Sequence, residues 1–155
     1  MPNDLLGQAI DELNASIQEH VNEAVYRAGF ARSPEARREP LQELAKAMCE
    51  LDRRLDYQQY LLGDEVPYEP DWRLWTTLVR YEPVYRPLLL GGDGPSLSEF
   101  PNLVRLNEQL AQVPGIADTL RLAEAVQHFQ ARMADFNVQT EHRPSGSSCR
   151  PDWPP

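Results

Sequence analysis

Apolar residues recur at steps of three and four through the first thirty positions: Leu6, Ile10, Leu13, Ile17, Val21 and Val25. That spacing lines one face of a 3.6-residue helix, so residues 4–28 are predicted as one long helix burying a single stripe. Gly29 is the expected stop, because glycine tolerates the left-handed conformation that many helix ends need. Ser33, Pro34 and Glu35 then supply a capping oxygen, a first-turn proline and an acid beside the positive helix end. A second helix is predicted there, with Leu41, Leu44, Met48, Leu51 and Leu55 as its stripe and a kink or restart at Pro40, which has no amide hydrogen to donate.

Residues 57–68 contain Gly63, Asp64 and Pro67 and are predicted as a loop. Glu69, Pro70 and Asp71 open a third helix, with Asp71 expected to accept backbone amides at its start. Trp72, Leu74, Trp75, Leu78 and Val79 make it apolar around much of its circumference, which predicts the most buried element of the bundle. Residues 91–98, rich in glycine and serine, are predicted as a flexible loop. A fourth helix is expected from Pro101 through Val113, and Pro114 with Gly115 breaks it. A last helix over 116–133 carries Ile116, Leu120, Ala123, Val126, Phe129 and Met133 as a buried stripe that closes the bundle.

Residues 139–155 hold four prolines and almost no apolar periodicity, the composition of a disordered tail, in which Trp153 is an isolated aromatic. No segment alternates apolar and polar residues as a half-buried strand does. The expected architecture is therefore one all-α bundle over residues 1–138, followed by a Pro-rich tail.

Composition narrows the function classes. A formal charge of -9 opposes binding to nucleic acid, whose affinity comes from Lys and Arg neutralising phosphates. No apolar run approaches the ~20 residues that cross a bilayer, and the first residues do not read as a secretory signal, so a cytoplasmic location is expected. Cys49 and Cys149 have no metal-ligand spacing and argue against a disulfide framework; Cys49, beside an apolar stripe, is expected to pack as an inert thiol. The three histidines are scattered and predict no metal site. His20 and His128 each read more readily as structural groups than as bases, although a histidine can do acid–base work near neutral pH.

Several blocks, in order, resemble the C-terminal domain of the glutathionyl-hydroquinone reductases, the xi class of glutathione transferases. They are Val21 to Ala31, Tyr60 to Asp64, Asp71 to Tyr85, Phe100 to Leu103 and Pro114 to Leu120. The resemblance covers roughly residues 4–138. It implies a glutathione transferase C-terminal-like helical bundle, the half that shapes the pocket for a hydrophobic co-substrate and through which xi-class enzymes pair as dimers. It also implies that the catalytic cysteine lies in a thioredoxin-like domain to which nothing here corresponds. Neither Cys49 nor Cys149 maps to it, so glutathione is expected as a cofactor only with a thioredoxin-like partner.

Tyr26 and Tyr85 match positions where family tyrosines contact quinol oxygens. A phenol can donate to or accept from such an oxygen while its ring packs on the ligand, yet each is equally readable as a core tyrosine. His128 and Phe129 begin a block that carries two tyrosines in the family and none here, which points away from hydroquinones as the ligand. Leu88, Leu89 and Leu90 read as core or interface residues before they read as a greasier pocket. The threonine usual in the family's capping box before Asp71 is replaced by Pro67 or Tyr68, predicting a weaker cap.

These features predict a domain that binds an aromatic or hydrophobic small molecule around Tyr26, Tyr85, His128 and Phe129 without thiol chemistry of its own. Two alternatives remain open: a cofactor-independent enzyme using a pocket tyrosine or histidine as acid or base, and the helical half of a split transferase. No catalytic residue is assigned.

Overall fold

A computed structural model describes residues 2–136, and among these the chain is helical, with no strand beyond an isolated pairing of Tyr60 with Gly63. Helix α1 spans Pro2–Ile17, passes through a wide π turn at Gln18–Asn22 and continues as α2 over Glu23–Gly29. The long helix read from the sequence is thus present with one register change inside it. Its stripe is unevenly covered: Ile17, Val21 and Val25 are buried, while Leu6, Ile10 and Leu13 are only half-buried.

Gly29 ends α2, as expected, but for a different reason. Its backbone is not in the left-handed region; a Cβ at this position would overlap Leu89 Cγ, so the glycine permits close approach of two segments.

Helix α3 spans Pro34–Arg54 and is capped by Ser33, whose Oγ accepts from Ala36 N at 3.0 Å. It runs through Pro40 as one helix, so of the kink or restart expected there the restart does not occur. Pro40 lies in the second turn, so the one missing amide bond is compensated by a buried stripe that includes Leu44, Met48 and Leu51. Cys49, on the same helix, is buried and disulfide-bonded. The expected packed thiol is therefore corrected, since spacing along a chain does not decide which sulfurs can meet.

Helix α4 spans Glu69–Arg80 and buries Pro70, Asp71, Leu74, Trp75, Thr77, Leu78 and Val79, as a central helix should. The carboxylate of Asp71 is fully buried and splits its two oxygens between tasks: Oδ2 accepts from Tyr68 N at 2.9 Å, and Oδ1 accepts from Leu61 N at 2.9 Å. Burial pushes its pKa up, partly offset by those amides. Tyr68 makes no side-chain cap hydrogen bond, and Asp71 N donates to the Tyr68 carbonyl at 3.0 Å.

A nine-residue π segment, Tyr81–Leu89, follows α4 without a break. Pro83 and Pro87 have no N–H, which deprives the carbonyls of Val79 and Pro83 of their ordinary α-helical partners and favours a wider turn. Leu90 N accordingly donates to Tyr85 O, five residues back, at 2.8 Å.

Residues 91–98 are not the loose connection predicted. Asp93, Gly94, Pro95 and Leu97 are buried. Arg37, itself buried, pairs with Asp93 at 3.1 Å, the Tyr81 hydroxyl donates to Pro95 O at 2.7 Å, and Glu82 Oε1 accepts from Leu97 N at 2.5 Å. Gly94 sits at φ +84°, where a Cβ would lie 3.2 Å from Leu41 Cδ2 and 3.4 Å from the Tyr81 hydroxyl, a place few side chains could occupy.

A 3-10 turn at Leu97–Glu99 leads to α5, Pro101–Ala111, which starts on an acceptor from another helix: Asp52 Oδ1 accepts from Asn102 N at 2.8 Å and Leu103 N at 3.1 Å. The last helix, α6, spans Leu122–Phe136, so its start lies six residues beyond the predicted one; Ala117–Thr119 form a 3-10 turn instead. Val126 and Phe129 are half-buried against the core rather than sealed in it. Expectations about the tail, with Cys149 and Trp153, lie outside the described residues.

Candidate functional site

The register change at 18–22 precedes Tyr26, and the π segment 81–89 carries Tyr85, so an unusual helical turn stands beside each tyrosine. Such turns add a residue per turn, redirect side chains and are frequent at functional sites. The two hydroxyls meet at 3.2 Å, and the rings lie edge to face with centroids 5.6 Å apart. Tyr85 is 8% exposed and Tyr26 38% exposed, so the pair runs from the core to the surface.

Burial, then the hydrogen bond that Tyr85 shares with Tyr26, raises the Tyr85 pKa well above that of an ordinary phenol. The group is consequently neutral at physiological pH and serves as hydrogen-bond donor or acceptor rather than as a phenolate.

Two further rings extend the pair. Phe129 on α6 packs edge to face on Tyr85 at 5.5 Å, and Phe30 stacks on Tyr26 at 6.2 Å with 18° between planes. Phe30, 45% exposed, was not singled out by the sequence reading. Its signal was available: it stands four residues after Tyr26, the spacing that puts two side chains on one helix face. His128 is exposed, and its ring lies 6.3 Å from that of Phe129. It therefore stands at the edge of the aromatic group rather than beside the hydroxyls. Of the four residues expected, the fold brings together Tyr26, Tyr85 and Phe129. Leu89 and Leu90 are fully buried core.

His20, on the first π turn, has a different task. Its Nδ1 lies 2.5 Å from Glu43 Oε1, its Nε2 lies 3.8 Å from Glu19 Oε2, and Arg27 pairs with Glu43 Oε2 at 3.1 Å. Glu19, His20 and Glu43 place ligand atoms within 4.8 Å of one another, a proximity not visible in the spacing of the histidines. The Arg27 guanidinium, however, already neutralises Glu43. Burial raises the Glu43 pKa, and the His20 and Arg27 hydrogen bonds more than reverse it, leaving it lowered. The cluster works as a brace tying the π turn and α2 to α3.

Known proteins agree with the fold. The chain is 39% identical over 120 residues to the glutathionyl-hydroquinone reductase YqjG of Escherichia coli K12, covering 77% of this chain and 36% of that protein. It is 35% identical over 128 residues to the glutathionyl-hydroquinone reductase PcpF of Sphingobium chlorophenolicum, covering 83% and 40%. The glutathione-bound structure of YqjG matches with a TM-score of 0.77 at 33% identity, over 91% of this chain and 47% of that one. The xi-class transferase of Natrialba magadii matches with a TM-score of 0.77 at 31% identity, over 90% and 45%. This chain thus spans less than half of the length of each. No family model matches it.

Proposed function

For a chain homologous to the C-terminal helical part of glutathionyl-hydroquinone reductases, with a glutathione transferase C-terminal-like all-α fold, we propose a ligand-binding role at Tyr26 and Tyr85. The ligand is an aromatic or hydrophobic small molecule with an oxygen function, bound without thiol chemistry from this chain.

The observation that carries this reading is the hydroxyl pair at 3.2 Å, one member buried and the other reaching the surface, with Phe30 and Phe129 beside it. A ligand oxygen entering from the Tyr26 side exchanges one phenol–phenol hydrogen bond for bonds to itself, while the rings receive its apolar body edge-on or stacked. Cys49 is disulfide-bonded and buried, which supports the absence of a thiolate role.

Equilibrium binding of a panel of quinones and aromatic metabolites tests the proposal. At least one compound should bind saturably, and Tyr26→Phe or Tyr85→Phe should weaken it by about tenfold, the worth of a hydrogen bond of ~1.4 kcal/mol. No binding, or indifference to both changes, rejects the role.

The short span relative to its relatives favours one other reading, in which a thioredoxin-like chain supplies the remaining chemistry. Glutathione titrated with and without such a chain separates the two: binding that appears only in the mixture supports completion in trans.

A further inference from the structure

A concavity lies between α1 and α3, with a volume of about 240 Å³. Its character changes with depth. Val21 and Leu51 are buried at the floor, Leu13 and Ala47 are half-buried on the walls, and Ser16, Glu50 and Arg54 are exposed at the rim. An apolar floor below a few polar groups is the usual construction of a small-molecule site, although this volume falls just below the ~300–1,000 Å³ that suits drug-sized ligands. The occupant is accordingly small. Val21 belongs to the first π turn, so the floor includes one of the register changes among the described residues.

The rim carries both charge signs. Glu50 and Arg54 stand one turn apart on the same face of α3. Arg54 donates through Nε to Leu61 O at 2.6 Å, which fixes the guanidinium and leaves its Nη groups as the donors a ligand can meet. Glu50 meets Lys46 only at 4.0 Å, between two largely exposed side chains, a pairing that competes weakly with a ligand. Ser16, across on α1, adds a hydroxyl able to donate or accept.

We propose that this cavity binds a small zwitterionic amphiphile, its apolar body against Leu13, Val21, Ala47 and Leu51 and its head meeting Arg54 through a carboxylate and Glu50 through an ammonium. The site is separate from the tyrosine pair and does not depend on the role assigned there.

L-phenylalanine is a suitable probe because it has both head charges on an apolar body. Two analogues divide the head: 3-phenylpropanoate lacks the ammonium, and phenethylamine lacks the carboxylate. Titrations followed by calorimetry and by amide chemical shifts should show saturable binding of phenylalanine, with shifts at Val21 and Ala47. Each analogue should bind about fivefold more weakly, the worth of one exposed ion pair. Ala47→Leu, which fills the cavity, should abolish binding. Glu50→Gln, at an exposed position that folding tolerates, should reduce phenylalanine binding to the level of 3-phenylpropanoate. No saturable binding in the millimolar range, equal binding of all three compounds, or binding that survives both cavity variants overturns the proposal.

Discussion

Residues 91–98 contain three glycines and a proline and lack any helical stripe, yet Asp93, Gly94, Pro95 and Leu97 are buried. Helix α6 carries a regular apolar stripe, yet none of its described side chains is buried. The difference lies in long-range partners. The loop is met by Arg37 from α3 and by Tyr81 and Glu82 from the π segment, each giving a directed bond. The closest dealings of α6 are with the π segment, along one face, with Phe129 against Tyr85. Periodicity describes which face a helix can bury; only the rest of the fold decides whether that face is covered.

Three substitutions probe this contrast, and urea denaturation measures each. Arg37→Ala should have the largest effect, a loss of about 3–5 kcal/mol, because it removes the buried cation that pairs with the buried Asp93 carboxylate. Tyr81→Phe should cost about 1–3 kcal/mol by leaving the buried Pro95 carbonyl without its donor. Phe129→Ala should cost only about 1 kcal/mol, roughly half the value of a fully buried apolar side chain. If Phe129→Ala proved as damaging as Arg37→Ala, α6 would belong to the cooperative core and the contrast would fail. Equal, small losses at all three positions would show instead that the loop bonds contribute little.

The elements easiest to read from the chain were those whose signals are local. Ser33 with Pro34 placed the start of α3, Asp71 placed that of α4, and Pro101 that of α5. The wide turns were not foreseen, because a π register depends on how carbonyls near Pro83 and Pro87 find partners rather than on apolar spacing. The site divided in the same way. Tyr26 and Tyr85 are 59 residues apart, and no spacing rule connects them; only the family resemblance singled them out. Phe30, by contrast, is legible from its step of four after Tyr26, on whose ring it stacks. The grouping of Glu19 and His20 with Glu43 depends on helix packing, which a list of histidines does not contain.

The two oxygens of Asp71 have a consequence for motion. One holds Leu61 in the loop and the other holds Tyr68 at the doorstep of α4, so neither amide can be released without disturbing the same buried group. Segments tied in this way tend to open together rather than one after the other. Loop and helix start therefore form one opening unit, with Leu61 and Tyr68 exchanging their amide hydrogens through a shared event although six positions of irregular chain separate them.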